Sequence, residues 1–68
     1  MEYLEASMNG KIIEFNQGTR NSFIVHAGSR YRVVFIDSYF EDQREMFIDQ
    51  LSEAEQVAKM WVEYGIIV

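Results

Sequence analysis

Cysteine is missing from this chain, histidine occurs once, and no apolar run approaches the roughly 18 residues that a membrane-spanning helix needs. Each shortage removes a class of protein. Without cysteine there is no disulfide framework and no thiolate to hold zinc, and a reducing cytoplasm is the expected compartment. His26 by itself makes no zinc site, because such a site needs cysteine or a second histidine beside it. Basic residues are scarce too: six Lys and Arg stand against eleven Asp and Glu, a net charge of −5. That sign opposes binding of nucleic acid or an anionic membrane by the molecule as a whole, and it favours a basic partner. The opening residues MEYLEAS have neither a basic flank nor a continuous apolar core, so no signal peptide is expected.

What is present is the composition of one small folded domain spanning residues 1–68, with 49% hydrophobic residues. A chain of this length buries only about 60% of the surface its unfolded form exposes, and domains of this size lean on disulfides, a metal or a partner subunit. With the first two lacking, a homodimer is expected. The chain is organised around Arg30 to Phe40, RYRVVFIDSYF, its longest run of β-branched and aromatic residues. Charge changes sign within that run. Before Asp37 three acids face four bases, and from Asp37 onward eight acids face Arg44 and Lys59 alone.

In chain order, Glu2 to Met8 alternates with Leu4, Ala6 and Met8 on one side, the period of a half-buried strand. Asn9-Gly10 then suits a type I′ hairpin turn, which brings Ile13 and Phe15 onto the same face and sets Glu5 opposite Glu14. Gln17 to Asn21 reads as a polar loop and Ser22 to Ala27 as a strand. Gly28-Ser29 suits a type II′ turn that pairs Ala27 with Arg30, Val25 with Arg32, Phe23 with Val34 and Ile24 with Val33. Glu41-Asp42-Gln43 reads as a three-residue turn, after which Arg44 to Leu51 pairs Phe40 with Arg44 and Ile36 with Ile48. That register puts Val34 and Ile36 on the core side and leaves Ile24, Val33, Phe35 and Phe47 on the face away from the core, where a twin would dock. An acid recurs at Asp37, Glu41, Glu45, Asp49 and Glu53, so one long helix from Asp37 onward is the competing reading. Ser52-Glu53-Ala54-Glu55 reads as a capping box opening a helix. Its apolar stripe is Ala54, Val57, Ala58 and Trp61, with Met60 and Tyr64 beside it, and Gly65 is the stop. Ile66 to Val68 is apolar enough to tuck back. The expected fold is α+β: an antiparallel β-meander of about five strands with one C-terminal helix packed on one face.

Constellations for chemistry are few. Neither Ser22 nor Ser29 stands at a recognisable nucleophile spacing from His26, and the acids lack the alternating, glycine-centred pattern of a calcium loop. An enzyme is therefore not expected, nor a cofactor. Arg20, Arg30 and Arg32 interleave with Phe23, Tyr31 and Phe35, as on a strand platform that stacks bases, which makes a sheet-face nucleic-acid-binding module the alternative.

The acidic half carries the leading expectation. Carboxylates four apart on a helix lie about 6 Å apart along its axis, and alternate strand residues about 7 Å, both near the phosphate spacing of a DNA strand. Small size, absence of cysteine, a pI near 4.6 and the acids clustered between Asp37 and Glu63 together resemble the phage-encoded DNA-mimic and host-takeover proteins, among them inhibitors of the nucleoid protein HU. The resemblance is one of composition. It implies a non-enzymatic inhibitor in the host cytoplasm that binds a basic DNA-binding protein and blocks its DNA binding. Asp37, Glu41, Asp42, Glu45, Asp49, Glu53, Glu55 and Glu63 would then stand in for phosphates. The small anti-CRISPR inhibitors, which present acids to a nucleic-acid channel, are a related expectation.

Overall fold

The computed structural model describes residues 11–67. These residues form four antiparallel strands, β1 (Lys11–Gln17), β2 (Arg20–Ala27), β3 (Arg30–Asp37) and β4 (Asp42–Ile48), followed by one helix, α1 (Leu51–Tyr64). The strands pair in chain order as a meander, and α1 crosses one face, chiefly over β2 and β3 with β4 at its margin. The fold is α+β, and with extents of 30 × 29 × 15 Å it is two layers thick. The expected strand Glu2 to Met8, its Asn9-Gly10 turn and the Glu5–Glu14 pairing lie outside the described residues.

Glycines close the first two hairpins. The expected loop from Gln17 to Asn21 contracts to Gly18-Thr19, because Gln17 pairs Arg20 directly. Gly18 (φ 61°) and Gly28 (φ 67°) each hold the first central position of a two-residue turn at positive φ, where a Cβ would be strained. The β2–β3 register is the expected one, with Ala27 against Arg30, Ile24 against Val33 and Phe23 against Val34.

The third hairpin corrects the expected register. Ile36 pairs Gln43 rather than Ile48, a slip of five residues, and Arg32 pairs Phe47. An odd slip reverses which side chains share a face. The cause is Asp37, which ends β3 three residues earlier than expected. Its Oδ1 accepts from the backbone N–H of Tyr39 at 3.0 Å and from the Thr19 hydroxyl at 2.9 Å, closing Ser38 to Glu41 into the turn. Glu41 takes the left-handed position there at φ 55°. Met46 and Ile48 therefore share a face with Val33 and Phe35, the face that packs on the helix, and Val34 and Ile36 face the other way.

The core follows from that parity. Ile24, Val33 and Phe35 are completely buried under Ala54, Val57, Ala58, Trp61 and Val62, with Ile13, Phe15, Tyr31, Met46, Leu51 and Ile67 packed around them. Ala54 and Ala58 have no bulk beyond Cβ, so the helix settles close enough for the buried Ser22 hydroxyl to donate to the Ala58 carbonyl at 2.8 Å. Trp61 meets Phe35 edge-on at 5.7 Å, and its indole N–H donates to the Ile36 carbonyl at 3.0 Å. Three of the four residues expected to face a twin, Ile24, Val33 and Phe35, are thus core residues, and only Phe47 of that set is exposed.

The helix ends also differ in origin. The capping box at Ser52 is not formed: Gln50 is the N-cap, without a side-chain hydrogen bond, and Ser52 already lies within the helix. The early end of β4 at Ile48 and the anchoring of Leu51 in the core start the helix before the serine can act as cap. At the other end Gly65 stops the helix as expected, at φ 72° with its N–H donating to the Trp61 carbonyl at 2.7 Å. No basic residue lies in the last turn of α1. Arg20 supplies the missing cation from β2, donating from Nε to the Val62 carbonyl at 3.1 Å and from Nη2 to that of Glu63 at 3.4 Å.

Candidate functional site

The eight acids singled out from the sequence do not form one surface. Asp37 is 4% exposed, and its carboxylate is occupied by the turn it closes. Asp42 takes a bidentate contact from Arg44 on the same strand, at 3.1 and 3.3 Å. Glu45 is held by Arg32 at 2.6 Å and Asp49 by Arg30 at 2.8 Å, both across the β3–β4 pair. Glu41 is exposed at the turn, and Glu53, Glu55 and Glu63 belong to α1.

Those pairings identify where the acidity of the described residues resides. On the sheet face turned away from the helix, Lys11, Arg30 and Arg32 are matched by Glu14, Asp49 and Glu45. The Glu14 carboxyl is held below its ordinary pKa chiefly by the hydrogen bond from the Asn21 amide, which outweighs the opposing effect of burial and is helped by Lys11 and Asn16. At one end of the molecule Arg20 and Arg44 offset Asp37 and Asp42. What is left is Glu41, Glu53, Glu55 and Glu63 against Lys59, three negative charges in excess, two of them on the helix and the third on Glu41 in the β3–β4 turn.

The helix presents these groups because its buried stripe of Ala54, Val57, Ala58, Trp61 and Val62 sets the orientation of everything else. By helical periodicity Gln56 and Glu63 point directly away from the sheet, with Glu55 on one flank and Glu53 on the other. Two shallow depressions run beside them. One, of about 380 Å³, is lined by Ser52, Glu55, Gln56, Lys59, Met60 and Glu63, and the other, of about 320 Å³, by Glu53, Gln56, Val57 and Met60. Half-buried Met60 belongs to both, an unbranched, polarizable side chain suited to a contact whose shape is set by a partner. Met60 was legible in the sequence only as a neighbour of the apolar stripe.

The residues of the alternative reading are engaged elsewhere. Arg20 caps the helix, Arg30 and Arg32 are each paired to a carboxylate, and Tyr31 packs against the core beside His26, with ring centroids 5.5 Å apart. Among the described residues no group of three histidine, cysteine or acidic side chains is placed to hold a metal ion, and no helix is long and apolar enough to cross a membrane. Comparison of the chain with protein-family models, with curated proteins and with solved structures gave no match.

Proposed function

We propose that this protein is a non-enzymatic binding module whose acidic helix face docks on the basic surface of a DNA-binding protein and keeps DNA off it. The observation that carries this reading is the separation of charge: the sheet neutralises its own acids, and the helix does not. Glu63 supports it further. A carboxylate in the last helical turn sits at the negative end of the helix dipole, a placement that costs stability, and no side chain among the described residues forms an ion pair with it.

The spacing refines the idea of phosphate imitation. Glu55 and Glu63 lie about 12 Å apart along the axis with Lys59 between them, twice the spacing that a run of acids four apart would have. A row that reads acid, base, acid fits a partner with its own alternation of charge better than it copies a phosphate track. Exclusion of DNA then comes from covering the partner's basic surface. The nucleoid protein HU is the example that the compositional resemblance suggests.

Titration against a purified basic nucleoid protein tests this. Affinity should fall steeply with salt, and added duplex should compete. The triple substitution Glu53→Gln, Glu55→Gln and Glu63→Gln should weaken binding by about tenfold or more, a scale typical of losing a cluster of interface groups. Asp42→Asn with Glu45→Gln should do much less, because those acids already serve Arg44 and Arg32. Equal losses from both sets would return the site to all eight acids. No association at low salt would overturn the reading.

A further inference from the structure

The sheet face opposite the helix is covered by no element among the described residues. Its centre is apolar: Phe23, Val25, Val34, Ile36 and Phe47 sit on adjoining strands. Val34 is 2% exposed among its neighbours and Phe23, Val25 and Ile36 are half-buried, so Phe47, 44% exposed, is the apolar side chain most open to a partner. Around them stand three cations, and each is satisfied within the chain. Lys11 lies over the Phe23 ring at 4.8 Å and pairs with Glu14 at 3.2 Å, while Arg30 lies over the Phe47 ring at 5.8 Å and pairs with Asp49 at 2.8 Å. Arg32 pairs with Glu45 at 2.6 Å. The far end of the face is polar and neutral, with Asn21 donating to Glu14, to Asn16 and to the Phe15 carbonyl.

We infer that this face is where two copies of the chain meet, sheet against sheet, with the helices outward. Charge decides the occupant. A polyanion such as nucleic acid would need free cations, and the three on this face already hold carboxylates at 2.6 to 3.2 Å. A basic partner would find no excess of acid here. A second copy fits, since an isologous contact requires one patch to complement itself, and a patch with equal numbers of each sign around an apolar centre does so. The rest of this acidic chain repels its twin, and the neutral face is where approach is cheapest.

Size sets the strength. Four strands spaced about 4.8 Å apart and about 25 Å long present roughly 500 Å² of flat surface each, or about 1,000 Å² for the pair, the lower bound for a specific interface. The expected dimer is therefore of the small, reversible class, its mass dependent on concentration. It would carry two acidic helix faces on opposite sides, and it does not depend on what those faces bind.

Sedimentation equilibrium across a concentration series tests the inference. The mass should rise from the 8.0 kDa of one chain to twice that value, and Phe47→Glu should raise the Kd by about tenfold or more with the helical circular dichroism unchanged. Because the chain has no cysteine, a spin label on Gln43→Cys reports only from the open face and one on Gln56→Cys only from the outer helix face. Labels at Gln43 should be closer across the dimer than labels at Gln56, as facing sheets sit about 10 Å apart. A monomer throughout the series overturns the proposal, as does a dimer in which the Gln56 labels are the closer pair.

Discussion

The open face of the sheet and the outer face of the helix both carry carboxylates, and as charged surfaces they behave as opposites. On the sheet, strands bring residues far apart in sequence side by side, so Arg32 finds Glu45 and Arg30 finds Asp49. Along the helix only residues three or four apart meet. Glu55 and Glu63 share one lysine, and Glu53 has no basic residue three or four positions away. Counting acids along the chain therefore overstates the first surface and understates how concentrated charge is on the second. A carboxylate is available to a partner only where the fold has not already given it one.

The two sides of the sheet differ most in what their aromatic rings contribute to stability. Phe35→Ala removes a fully buried ring from beneath Trp61 and should cost about 3–5 kcal/mol, whereas Phe47→Ala on the open face should cost well under half as much; urea unfolding midpoints measure both. Equal costs would mean that the helix lies on the other face. Next in size is Asp37→Ala, which removes the buried carboxylate that accepts from the Thr19 hydroxyl and the Tyr39 N–H and should cost about 1–3 kcal/mol, the scale of hydrogen bonds to a charged acceptor. A stability unchanged by this substitution would return Asp37 to the set of free surface acids. The smallest effect carries the sharpest sign. Glu45→Gln should destabilise by roughly 0.5 kcal/mol through loss of the Arg32 pair, while Glu63→Gln should stabilise by roughly 0.3 kcal/mol by relieving the helix end. Thermal melts at low salt resolve that difference in direction.

Much of this architecture was legible in the residues, and the failures have one origin. Gly28-Ser29 and Gly65 located a hairpin and a helix end because positive φ is a local demand that glycine meets. The stripe Ala54, Val57, Ala58 and Trp61 marked the buried face of α1 because helical period is local too. The β3–β4 register was not legible. RYRVVFID is apolar on both sides, so alternation alone does not say which side is inward, and the turn depends on a long-range bond from Thr19 to Asp37.

The candidate site divides along the same line. Sequence alone determined that the chain is acidic, that the excess falls after Asp37, and that Glu53, Glu55 and Glu63 occupy a helix, since charge and periodicity are properties of neighbouring residues. Only the tertiary structure decided which acids remain free. Pairing across strands, from Arg30 to Asp49 and from Arg32 to Glu45, joins residues 19 and 13 positions apart. The burial of Asp37 likewise follows from a turn packed against β2. Local patterns set what each segment is, and long-range contacts, which no short window of sequence contains, set which of its side chains are left to meet a partner.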